Sequence, residues 1–95
     1  MKDAERKQIP VYSGFIAYFP DAIMEVAKIS QIGNNQHHPD KPLHWDKTKS
    51  MAHADSGARH MIDIAKGITH DDDGALHLAK KAWRAMAELQ IYLEK

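Results

Sequence analysis

Ala75-Leu76-His77-Leu78-Ala79-Lys80-Lys81-Ala82-Trp83-Arg84-Ala85-Met86-Ala87-Glu88-Leu89-Gln90-Ile91-Tyr92-Leu93 is the stretch that decides the fold class. Ala75, Ala79, Ala82, Met86, Leu89 and Leu93 recur at alternating steps of 4 and 3, the spacing that aligns one face of an α-helix into a bundle-type seam. Asp71-Asp72-Asp73-Gly74 precedes it, and acidic residues there suit the positive end of a helix dipole and its cap. A second face of the same helix carries Asp73, His77, Lys80 or Lys81, Arg84 and Glu88, and spacing alone favours a solvated surface for it.

Moving towards the N-terminus, Ser50 is placed as the N-cap of another helix ending near Lys66, just before Gly67. Met51, Ala54, Ala58, Met61, Ile62 and Ala65 form its apolar stripe, and Gly57 within it signals close packing or a bend. Pro20 and Asp21 open a first helix over about residues 20–33, which Gly33-Asn34-Asn35 closes. Residues 1–19 form an irregular lead, because Pro10 and Gly14 interrupt any regular helix. Its aromatics Tyr12, Phe15, Tyr18 and Phe19 are expected against the core of this protomer or of a neighbour. Residues 33–50, GNNQHHPDKPLHWDKTKS, read as a long polar loop, and Leu43 and Trp45 indicate that it docks.

The expectation is therefore an all-α protein: one domain over residues 1–95, three main helices and a functional loop between the first two. So short a chain buries a modest core, and its apolar seam and aromatic lead exceed what three helices readily cover. A homo-oligomer is expected.

Composition removes whole classes of function. Lys plus Arg equals Asp plus Glu at 13 each, which argues against a nucleic-acid polymer or a polybasic membrane anchor as partner. With no cysteine, disulfides, zinc knuckles and thiol chemistry are out. The charged start has no apolar run behind it, so no signal peptide is read and a cytoplasmic address is the simplest. Seven histidines are the oddity, suited to metals, anions or pH sensing.

Lys80, Arg84 and Trp83 combine a point charge, a planar fork and an aromatic face, the groups that hold phosphates and a base. His53, Asp55, Arg59, His60 and Asp63 lie on the preceding helix, where i, i+4 pairs also suit surface ion pairs. Asp21 and Glu25 stand at i, i+4, a spacing that suits a shared hard cation or an exposed polar face. There is no phosphate-cradling glycine loop, nucleophile elbow or HExxH.

In combination, Phe19-Pro20-Asp21-Ala22, Glu25-Val26-Ala27, Gly33-Asn34, Gln36-His37, Pro42-Leu43-His44-Trp45-Asp46, Lys49-Ser50, His53-Ala54-Asp55, Arg59-His60, Asp72-Asp73-Gly74 and His77-x-Ala79-Lys80-x-Ala82-Trp83-Arg84 resemble a known group. The chain is similar, over about residues 18–94, to phage and prophage dATP/dGTP diphosphohydrolase N-terminal domains, a MazG-like group. The resemblance implies an all-α, usually oligomeric nucleotide pyrophosphohydrolase using Mg²⁺ or Mn²⁺ to activate water against a phosphoanhydride. The MazG pattern has Glu-x-x-Glu on one helix and Glu-x-x-Asp on the next. Here Lys28 follows Glu25 at the second position, and His77-x-x-Lys80 stands where a later acidic pair is wanted.

Two functional readings follow. In the first, a phage-type protein binds a nucleotide or nucleotide-derived signal without needing a metal, and sequesters it from host immune signalling. Its site would comprise His37, Trp45, Lys47, Lys49, Arg59, His60, Lys80, Trp83 and Arg84. In the second, Glu25, Asp55, Asp73 and His77 hold Mg²⁺ or Mn²⁺ for hydrolysis, with Asp63 a further plausible ligand. No catalytic residue is assigned under either. A purely structural module is the weaker third reading, because the loop is too rich in His, Lys and Trp for a spacer.

Overall fold

Pro20, Gly67 and Gly74 are the local breaks around which the helices are laid out. The computed structural model describes residues 1–48 and 52–95. Among them the protein is all-α: α1 (Asp3–Arg6), a π-helical turn (Tyr12–Ile16), α2 (Pro20–His37), α3 (His53–Ala65) and α4 (His77–Leu93). The lead is not one regular helix: it breaks at Pro10, while Gly14 lies within the π-helical turn, where a Cβ would sit 3.0 Å from Pro10 Cγ, a tight contact.

Pro20 occupies the first turn of α2, where its missing N–H costs no hydrogen bond. This helix does not stop at Gly33 as the glycine–asparagine run predicts, but continues to His37. The reason lies in Asn34, which is buried inside the helix instead of capping it. Its amide donates to the Lys41 carbonyl at 3.0 Å and accepts the His44 N–H at 3.2 Å. Asn34 thus binds the following loop back onto α2, and the connection shortens to residues 38–52.

The expected Ser50 cap lies outside the described residues, and Ala52 takes the N-cap position of α3. α3 ends as foreseen, on Gly67. With φ of +81°, Gly67 lets its own N–H reach Ile64 O at 2.9 Å and the Ile68 N–H reach Asp63 O at 3.0 Å. A tight turn then closes on Gly74, where the Asp71 N–H bonds Ala75 O at 2.8 Å and His70 bridges Leu76. α4 begins later than the acidic run suggests, with Leu76 as N-cap and no side-chain cap. No helix of the described residues is long and apolar enough to cross a membrane.

α4 is the central helix, packed on both α3 and α2. Which faces meet is the main departure from the sequence reading. α3 turns His53, Ser56, Gly57, His60 and Asp63 towards α4, and α4 answers with His77, Lys80, Arg84 and Ala87. Ala75 and Ala79 of the expected seam are buried, but Met86, Leu89 and Leu93 point outward. The apolar stripe of α3 is outward as well, from Ala54 to Ala65. Gly57 packs against Arg84 at this contact, where a Cβ on it would lie 3.8 Å from Arg84 Cβ, an ordinary van der Waals distance.

The buried apolar residues among those described are three alanines, Ala75, Ala79 and Ala87. Tyr12, Phe15, Tyr18 and Phe19 are all exposed, their rings stacked edge-on in the pairs Phe15–Phe19 and Tyr18–Phe19. They cover no core of their own protomer.

A polar cavity between α2, the loop and α4

α2, residues 38–46 of the loop, α3 and α4 enclose a cavity of about 720 Å³, within the range of small-molecule sites. Ile29 and Ile32 contribute an apolar floor from α2, while Trp45 closes one side from the loop and Trp83 from α4. The two indoles meet edge to face at 5.5 Å and 71°, and the Arg84 guanidinium lies over the Trp83 ring at 5.6 Å. Trp83 is tied to α2 by donating from Nε1 to Ser30 Oγ at 2.8 Å. Trp45 is held on its other side by Lys47, whose Nζ lies 5.1 Å from the ring centre.

Arg84 supplies the cationic wall. Its Nη1 lies 2.9 Å from His53 Nδ1, and since a guanidinium only donates, that nitrogen of His53 must be the acceptor. His53 therefore carries its hydrogen on Nε2 when neutral. That Nε2 is buried and has no hydrogen-bond partner among the described residues. Burial, then the Arg84 charge, pushes the His53 pKa below its ordinary value, which keeps the ring in this neutral form. Burial also lowers the Arg84 pKa, helped by neighbouring Arg59.

Lys80 behaves differently. It bonds Asp71 at 2.7 Å and Asp73 at 2.6 Å, and Asp73 also accepts from Gln36 at 3.1 Å. Burial works to lower the Lys80 pKa, but the two carboxylate hydrogen bonds outweigh it and the pKa is raised. The same Lys80 hydrogen bonds hold both carboxyls below the usual range. The acidic run before α4 is thus a clamp on Lys80, and the charge of that lysine is already matched.

Beyond this clamp, His60 Nδ1 meets His77 Nδ1 at 2.8 Å, and His77 Nε2 faces Asp63 Oδ2 at 3.6 Å. Burial chiefly lowers the His60 pKa, with His77 and Lys80 adding to it.

Of the residues expected to hold a nucleotide, His37, Trp45, His60, Lys80, Trp83 and Arg84 line this one cavity. Lys47 does not; it pairs with Glu94 at 2.7 Å and pins the loop to the end of α4. Arg59 is exposed and outside the lining, and Lys49 lies outside the described residues. The four expected metal ligands do not converge. Glu25 pairs with Lys28 at 2.7 Å on the surface, Asp55 is exposed, Asp73 clamps Lys80 and His77 is buried with His60 and Asp63. These carboxylates do not form an all-oxygen site for Mg²⁺ or Mn²⁺ among the described residues.

Sequence reasoning passed over Ser30, Asn34, Asp71 and the pairing of His53 with Arg84. A usable signal existed: His53, Ser56, Gly57, His60 and Asp63 repeat at helical steps as cleanly as the apolar stripe does. The i, i+4 pairs on that helix, Asp55–Arg59 and Arg59–Asp63, point equally to surface ion pairs.

Fold and cavity together define a small helical protein with a nucleotide-sized pocket of mixed aromatic and cationic walls. The family model described as dATP/dGTP diphosphohydrolase, N-terminal, matches residues 2–95, and the chain belongs to that family. No curated protein and no solved structure matches the chain.

Proposed function

We propose that the cavity binds a nucleotide or a nucleotide-derived signal, and that the chain retains this ligand without cleaving it. The observation that carries the reading is the buried Nε2–H of His53, a donor without an acceptor among the described residues, on a ring held by Arg84 and packed against both tryptophans. An unpartnered buried donor costs about 1–3 kcal/mol, which an acceptor on a bound ligand would recover. A base would stack on an indole face, while Arg84 would meet phosphate oxygens with the guanidinium hydrogens that His53 leaves free. Membership of a family of dATP/dGTP diphosphohydrolase domains supports the nucleotide class.

Sequestration in the cytoplasm of an infected host, away from immune signalling, is the role that such a non-hydrolysing binder would play. A second copy covering the outward apolar residues would complete the assembly. The competing reading is hydrolysis with Mg²⁺ or Mn²⁺, favoured by the family alone. One experiment separates them: titrate dATP, dGTP and cyclic nucleotides with Mg²⁺ or Mn²⁺, measuring heat of binding and products together. Saturable binding with ligand recovered intact is expected. Catalytic release of pyrophosphate would overturn the sequestration reading, and absence of both would leave a structural module.

A further inference from the structure

His60, Asp63 and His77 form a compact group next to the cavity. His60 and Asp63 stand one turn apart on α3, and His77 is the first residue of α4. One ligand atom from each lies within 4.8 Å of the others. His77 is 3% exposed, and its two ring nitrogens are turned to the other two members, Nδ1 to His60 and Nε2 to Asp63.

We propose that His60, Asp63 and His77 bind a divalent transition-metal ion of the imidazole-preferring class, such as Zn²⁺ or Co²⁺, in preference to Mg²⁺. Two imidazoles and one carboxylate make a donor set of borderline softness that leaves coordination positions open, whereas Mg²⁺ takes oxygen ligands. Metal–ligand bonds of about 2.0–2.2 Å place neighbouring donors roughly 3.2–4.3 Å apart, so His60 and His77 must part from 2.8 Å and, because His77 offers an ion one nitrogen, the third ligand must turn to that same side. Binding exchanges the His60–His77 hydrogen bond for two metal bonds. Lys80, one of the cations that act on His60, is paired with Asp71 and Asp73. Those same carboxylates are committed to Lys80, which leaves Asp63 as the oxygen donor of this group. The site stands whether or not the cavity retains or hydrolyses a nucleotide, because the metal alone is its probe.

The test titrates the full chain with Co²⁺, followed by visible absorption, and with Zn²⁺ against a chromophoric chelator. One equivalent per chain is expected, undisturbed by a large excess of Mg²⁺. Asp63→Asn and His60→Gln should each weaken binding roughly tenfold or more, while His70→Gln, an exposed histidine outside the group, should not. Both test positions are partly exposed, and helicity and thermal midpoint without metal check their folding. Should either variant misfold, imidazole NMR of the wild-type chain decides. Zn²⁺-induced shifts confined to His60 and His77 support the site, and shifts at other histidines alone overturn it. Unchanged affinity in folded Asp63→Asn and His60→Gln, or equal competition by Mg²⁺, would also overturn it.

Discussion

The inward and outward faces of the α3–α4 pair invert the usual arrangement of a small helical protein. Inward lie His53, Ser56, His60, His77, Lys80 and Arg84; outward lie Met61, Ile62, Leu78, Met86, Leu89, Tyr92 and Leu93. Leu89 is 52% exposed and Tyr92 71%, while His53 and His77 are each 3% exposed. The polar interior is affordable because its groups partner one another: Arg84 with His53, Lys80 with Asp71 and Asp73, and His60 with His77. The apolar exterior has no such partners among the described residues, and its burial by a second copy is part of the proposal. The contrast teaches that in this chain the polar side chains supply the inter-helix contacts while the large apolar ones stay exposed.

The largest expected effect is on the outer face. If it is covered by a second copy, Met86→Glu with Leu89→Glu should weaken self-association roughly 100-fold or more, read by sedimentation at micromolar concentration, with helicity retained. A wild-type chain that sediments as a monomer at that concentration would break the comparison at once.

The inner face is probed next by Arg84→Ala, which should weaken nucleotide binding about 10- to 100-fold through loss of a charged hydrogen-bond donor, read by calorimetry. Arg84→Lys should rescue only part of it, because an ammonium keeps the charge but not the planar fork. Full affinity in Arg84→Ala would remove the cationic wall from the site.

The buried histidines give the inner face a pH signature. His53, which faces Arg84 and Glu88, has a folded-state pKa below its ordinary 6.5, and so does His60, which faces His77, Lys80, Asp71 and Arg84. The unfolded chain therefore binds these protons more tightly. The stability they contribute is complete above pH 6.5 and is lost as pH falls through the lowered folded values. Urea midpoints measured with a chelator present should decline from pH 8 to pH 5. Asp71 and Asp73, also depressed, contribute stability above the ordinary carboxyl value of 3.8 that is lost at more acidic pH. A flat profile between pH 8 and 5 would contradict the burial of His53 and His60.

The smallest effect belongs to a residue outside both faces. Glu25→Ala breaks only an exposed pair with Lys28 and should change stability by no more than about 0.5 kcal/mol, with nucleotide binding unaltered. A large loss of binding would bring Glu25 back as a ligand group.

What the amino-acid sequence determined by itself was local. Pro20 started α2, Gly67 ended α3, and the steps of 4 and 3 through Ala75–Leu93 specified a helix, because caps and periodicity act within a few residues. Helical spacing also put Lys80, Trp83 and Arg84 on one face of α4, three of the six nucleotide-site candidates that line the cavity. Tertiary structure decided which face turned inward. Periodicity shows that two faces differ, but not which one another helix will meet, and for α3 and α4 the His60–His77 and His53–Arg84 contacts mark the faces that meet. It also decided that Asn34 would extend α2 by bonding Lys41 and His44, that Asp71 and Asp73 would clamp Lys80, and that His60, Asp63 and His77 would gather. Each is a contact between separate turns or elements, and no local propensity encodes a partner that lies elsewhere in the chain.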